Sequence, residues 1–254
     1  ALTNINWAVH AAHEAFPWQD YVLAAHLLRM MSTLLGLGTL LCIYGSGRLL
    51  WPQQPELALL AVALVAFLPQ FNFLHSTITN DTFIIFLATA ALCQLVRLWQ
   101  GGVTNGRLLI LRITVGLTIL SKNAGTLLLL YTLGVLFLLW LKNNPRPLKS
   151  LIFNLLWVLI PALLSGGWLW WRNWQLYGDI TAANMFIEFA GGDRHASLLQ
   201  VLGEWQSLWP SLFAVFGWFN LRPPQWVYWV WTGIVITAFA GFIYGLVKNK
   251  DQRQ

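Results

Sequence analysis

Charge is what this 254-residue chain has least of: Asp, Glu, Lys and Arg make up 9% of it, where a soluble domain carries about a quarter. So little charge excludes an ordinary water-facing fold. Cysteine is nearly absent too. Cys42 and Cys93 both fall inside apolar runs, where they read as small packing hydrophobes and not as a disulfide or a metal cluster. No two His or acidic residues show a ligand spacing, so no metal is assigned. Basic residues are nowhere gathered with aromatics on one face, which excludes nucleic-acid binding. No internal repeat or low-complexity stretch interrupts the chain, and the loop "KNNPRPLKS" is too short to separate domains. The first residue is Ala and no cleavable leader is visible, a start that suits a fragment.

What is present is apolar. Hydrophobic residues make up 57% of the chain, mean hydropathy is +0.61 and there are 16 Trp. That balance predicts an all-α polytopic membrane protein of about seven spans, each near the length that crosses a hydrocarbon core of about 30 Å. They run approximately Tyr21 to Leu49, Leu57 to Leu74, Thr82 to Leu98, Leu108 to Leu120, Gly125 to Leu141, Leu151 to Trp171 and Val227 to Leu246. The expected organisation is one transmembrane domain over 1–254. Residues 1–20 form an external loop remnant, and 172–225 a long external segment. Within that segment "LLQVLGEWQSLWPSLFAVFGWFN", broken at Pro210, reads as an interfacial helix or as an incomplete eighth span. The tryptophans of "GGWLWWRNW" and "PPQWVYWVW" cluster at span ends as an aromatic belt does.

Basic residues in short loops mark the cytoplasmic side of a helical membrane protein. Sorting loops by alternation puts Arg48, Arg97, Arg107, Arg112, Lys142, Arg146, Lys149, Lys248, Lys250 and Arg253 on one face, with Glu56 and Asp251. The opposite face holds Glu14, Asp20, Asp81, Asp179, Glu188, Asp193 and Glu204. The N-terminus is therefore expected outside and the C-terminus in the cytoplasm.

At about 1.5 Å per residue, depth can be counted from the cytoplasmic markers. Arg29, Asp81 and Lys122 fall about 27 to 28 Å away and Arg172 about 34 Å, so all four share one outer layer. In that layer three cations, Arg29, Lys122 and Arg172, face one carboxylate, among neutral hydrogen-bonding groups that include His75, Thr79, Asn80, Ser121 and Asn123. A phosphate at headgroup depth would supply the missing negative charge. The alternative for Lys122 is passive snorkelling, and for Asp81 a helix N-cap favoured by the macrodipole. His75 and His26 read as hydrogen-bonded structural residues.

At these residues a family comes into view. The order "FNFLHSTITNDTFIIF", "GLTILSKNAGTLLLL", "GGWLWWRNWQLYGD", "FAVFGWFN" resembles bacterial membrane proteins of the glycosyltransferase-C superfamily, relatives of protein O-mannosyltransferases and lipid A aminoarabinose transferases. The similarity covers the chain roughly from Leu28 onward. It implies an enzyme of the bacterial plasma membrane that takes a sugar from a polyprenyl-phosphate donor and transfers it at the outer face. It also implies that the "TND" Asp81 lies beside the active site, that Lys122 of "LSK" lies near the donor phosphate, and that Arg172 and Arg29 match two family arginines. The cofactor stays unknown, and the resemblance admits a divalent metal. Family members begin with one more span and an external loop carrying the principal acid. This chain starts about where that loop ends, and Glu14 and Asp20 are the acids retained.

The expected chemistry has Glu14, or an acid outside this chain, as general base toward an acceptor hydroxyl and Asp81 as the carboxylate that orients acceptor or donor. Lys122, Arg172, Arg29, Asn80 and His75 hold the substrate. Expected partners are the lipid-linked donor and membrane lipids, with no nucleic acid. Two other readings are a transporter or flippase of lipid-linked sugars, and a non-catalytic membrane fragment or subunit. Against the flippase, the polar residues form one outer layer and do not sit at midplane between repeats.

Overall fold

The computed structural model describes residues 14–142, 147–190, 197–217 and 219–251. Helix dominates, and among the described residues the only β pairing is one isolated antiparallel bridge, Phe216 to Leu221. In chain order the helices are α1 Asp20–Leu50, α2 Pro55–Ala66, α3 Pro69–Ser76, α4 Asp81–Gly101, α5 Asn105–Ser121, α6 Gly125–Lys142, α7 Leu148–Tyr177, α8 Ala183–Ala190, α9 Leu198–Gly203, α10 Trp205–Ser211 and α11 Gln225–Asp251.

Their ends follow local chemistry. Pro55 opens α2, where its missing N–H costs nothing. The Thr104 hydroxyl accepts from Arg107 N at the start of α5. Gly178, at φ 65°, closes α7 in the left-handed conformation. Several side-chain hydroxyls inside the helices bond back to the carbonyl four residues earlier, as Thr39 does to Leu35 and Thr118 to Thr114.

Five helices, α1, α4, α6, α7 and α11, are long and apolar enough to cross a membrane, and α2 with α3 adds a sixth as a broken pair bent by 64°. The chain is thus an all-α, multi-pass membrane protein. The second expected span is not straight, because Pro69 cannot continue α2 past Phe67. The fourth is α5, whose 17 residues rise only about 26 Å. The sixth, α7, runs past the expected Trp171 to Tyr177 and so carries Arg172 on a helix.

The described residues form two compact units, 17–67 with 74–190 and 14–16 with 68–73 and 197–251. In the larger, α5 is the axle: it packs on α4, α6 and α7, while α1 packs on α2 and α4. The core joins Leu95 and Leu98 of α4, Leu111, Val115 and Ile119 of α5, Leu136 of α6, and Val158 and Ala162 of α7. Small residues let α5 and α7 approach, since a Cβ on Gly166 would lie 2.4 Å from Ile119 Cγ2. Leucines such as Leu127, 70% exposed, point outward and suit lipid.

The smaller unit packs Phe213, Ala214 and Tyr228 with Leu68, Trp209 and Trp231. Gln70 holds its turn: the backbone N–H donates to Phe213 O at 2.8 Å, and its side-chain oxygen accepts from Val215 N at 2.8 Å. The expected interfacial helix is two short helices, α9 and α10. They part at Glu204, not at Pro210, which lies within α10.

Candidate functional site

The larger unit sorts its charges to two ends. At one end the Lys142 ammonium sits 4.6 Å from the Trp99 ring centroid, and Arg107 donates to Gly102 O at 2.9 Å. At the other end α4 begins, α5 stops and α6 starts, and there the sequence-predicted residues meet.

Lys122 is the residue that caps α5. It is extended, at φ −162°, and its N–H still donates to Thr118 O at 3.2 Å. The turn Lys122-Asn123-Ala124 then starts α6 at Gly125, whose N–H donates to Lys122 O at 2.8 Å. No other residue fits at 125, because a Cβ there would lie 2.5 Å from the Thr118 carbonyl carbon and oxygen. The glycine lets α6 fold directly onto the last turn of α5, which throws the lysine outward.

There it meets Asp81. Lys122 Nζ lies 2.6 Å from Asp81 Oδ1, with side chains 47% and 35% exposed. Asp81 occupies the first turn of α4, but its carboxylate does not cap the helix. Thr79 does that work: its hydroxyl accepts from Asp81 N at 3.2 Å and donates to Asp81 Oδ2 at 3.3 Å. Of the two readings open for Asp81, the geometry shows a carboxylate turned to the lysine. Next to it, Asn80 Nδ2 donates to Ser121 O at 3.3 Å, a second tie between the two strands of the site.

The neighbours of Lys122 carry unmet hydrogen-bonding capacity. Ser121 Oγ and Asn123 Oδ1 are both buried with no hydrogen-bond partner. Such groups are rare in folded proteins and costly when left unmade. Asn123 Nδ2 is engaged, donating to Thr181 O at 2.7 Å. Asn173 Nδ2 donates to Ile180 O at 3.1 Å from a buried position on α7.

Arg29 and His75 stand on the α1 side. The Thr33 hydroxyl donates to Arg29 O at 3.0 Å and to His75 O at 3.2 Å. The His75 ring is buried against Gly36, within 3 Å of where a Cβ would be. Arg29 opens instead into a groove of about 380 Å³ with Trp18, His26, Thr33 and Ser76, where the Trp18 and His26 rings stack at 3.8 Å. Arg172 is exposed on α7 and, among the described residues, makes no ion pair. Glu14 is half-buried and belongs to the smaller unit. The structure therefore brings Asp81, Lys122 and Asn80 together, joins Arg29 to His75 through Thr33, and leaves Arg172 on its own helix face.

Sequence reasoning missed Asn173 and Thr181. Asn173 had a signal, as the residue after Arg172 in "WRN", but the charge drew attention away from the buried amide. Thr181 had none. Outside the spans, hydrogen bonds from Asn184 N and Thr181 N hold the Asp179 carboxyl below the usual carboxylate range.

Among the described residues no three of His, Cys, Asp or Glu converge, and Asp81 already faces the Lys122 ammonium.

No curated protein and no solved structure matches the chain. One family profile does, over residues 10–171, a stretch that holds Asp81 and Lys122 and stops one residue short of Arg172. With that match over more than half its length, the chain belongs to the dolichyl-phosphate-mannose-protein mannosyltransferase family, membrane glycosyltransferases of the GT-C type.

Proposed function

We propose that the protein transfers a sugar from a polyprenyl-phosphate donor to a hydroxyl acceptor at the outer face of the bacterial plasma membrane. The observation that carries this reading is the Lys122–Asp81 pair at 2.6 Å, half open and flanked by the orphan oxygens of Ser121 and Asn123. An ammonium already aimed by a carboxylate, beside unused hydrogen-bonding groups, suits an anionic ligand that also carries hydroxyls.

In the proposed reaction the acceptor oxygen attacks the anomeric carbon and gives its proton to a carboxylate that serves as general base. The bond from that carbon to the phosphate oxygen breaks. The lipid phosphate leaves with the electron pair, and Lys122, Arg29 and Arg172 meet the charge that develops there. Asp81 holds the lysine in place and, with Asn80, orients the reactants. His75, buried behind Arg29, supports that side of the site from within.

Two readouts test this on the membrane-embedded protein. Native mass spectrometry with polyprenyl phosphate should show at least tenfold weaker retention in Lys122→Met. Transfer from a labelled polyprenyl-phosphate sugar should fall about 10²- to 10³-fold in Lys122→Met and in Asp81→Asn. Undiminished retention and transfer in Lys122→Met would overturn the proposal.

A further inference from the structure

The opposite half of α5 carries a charge that the site above does not use. Arg112 sits about 10 Å along α5 from Asn105, inside an apolar helix and about 15 Å short of Lys122. Its guanidinium carbon lies 4.3 Å from the centroid of the Trp157 ring on α7. Among the described residues it has no carboxylate partner. It lines a groove of about 380 Å³, otherwise formed by Phe153, Leu156, Trp157, Ile160 and Pro161.

A lone cation at this depth is expensive unless something neutralises it, and intramembrane ionisable groups mark functional positions by default. The ring face stabilises the guanidinium and leaves the edge of its N–H fork available. A second cation lies on the same stripe of α7: Lys149, Phe153, Leu156 and Ile160 follow one another at helical spacing, and Lys149 stands about 12 Å nearer the helix start than Trp157. Pro161 supplies no N–H to the Trp157 carbonyl, which widens the helix surface there. The groove therefore has one cation, apolar walls and no acid in its lining, and Lys149 stands outside it, toward the start of α7.

We propose that the α5–α7 groove is a binding site for an anionic phospholipid of the leaflet that meets the basic loops. Its phosphate meets the guanidinium edge of Arg112, and one acyl chain runs along Phe153, Leu156 and Ile160. Charge complementarity selects the occupant: basic pockets between spans on the basic-loop side take acidic headgroups, and a zwitterionic lipid leaves the cation uncompensated. This inference stands apart from the sugar-transfer reading, because it uses the other half of α5.

The test is native mass spectrometry of the purified full chain with phosphatidylglycerol or phosphatidylcholine of matched acyl chains. Wild type should retain phosphatidylglycerol at least tenfold more strongly. Arg112→Met should lose that preference, Arg112→Lys should keep most of it, and Lys122→Met should leave it unchanged. Trp157→Leu, which keeps the charge and removes the ring, should weaken it severalfold and serves if Arg112→Met does not fold. Far-UV circular dichroism checks the helix content of each variant. Equal retention of the two lipids, full retention in Arg112→Met, or displacement of phosphatidylglycerol by polyprenyl phosphate would each overturn the assignment.

Discussion

At the scale of single residues, the turn at Gly125 positions the candidate site more tightly than any charge. A methyl group there meets backbone, which cannot rotate aside, so Gly125→Ala must push α6 away from the end of α5. Overpacking of this kind costs about 1 to 3 kcal/mol. The expected result is a lower unfolding temperature in detergent together with a loss of polyprenyl-phosphate retention, measured by thermal scanning and mass spectrometry. An Ala variant as stable as wild type would show that α6 can shift freely. The charged residues of this layer were legible in the sequence because charges are so scarce. Which of them touch was not legible: Asp81 and Lys122 are 41 positions apart, and only the packing of α4 on α5 makes them neighbours.

At the scale of elements, sequence periodicity located every long helix to within a few residues, since runs of apolar residues between polar breaks need little else. It failed where one residue redirects the chain. Pro69 turns the second span into two helices, and α9 parts from α10 at Glu204, straight after Gly203. The start of α8 makes a further prediction. Asp179 accepts from Asn184 N, from Thr181 N and from the Thr181 hydroxyl, so its pKa is lowered in the folded protein below the ordinary 3.8. A lowered carboxylate contributes its stability in full above the unfolded value, and that contribution fades as pH falls through the folded one. The amide resonances of Thr181 and Asn184 should therefore stay constant down to about pH 4.5 and move only below the ordinary aspartate value. In Asp179→Asn the acid-induced movement should vanish. Titration of these amides at or above 3.8 would contradict the bonding seen here.

At the scale of the whole molecule, the loop charges and the packing agree on one point. Within the larger unit the basic loops gather at the end that holds Trp99 and Lys142, and the acids Asp81 and Asp179 at the end that holds Lys122. The positive-inside rule predicts an orientation in the membrane that is open to direct test. In a Cys42→Ala, Cys93→Ala background, Thr181→Cys should react with an impermeant maleimide added to intact cells and Lys149→Cys should react only after lysis. The reverse pattern would turn the molecule over and move the proposed transfer to the other leaflet.

The ion pair between Asp81 and Lys122 also bears on how the protein is made. It closes a hairpin, α4 inward and α5 back outward, and its two partners lie 41 residues apart in the chain. A nascent chain halted before Lys122 lacks the partner of the Asp81 carboxylate, so this ion pair cannot form until both α4 and α5 have been synthesised. The pair that aims the lysine in the finished protein is thus a contact that only a chain carrying both helices can make.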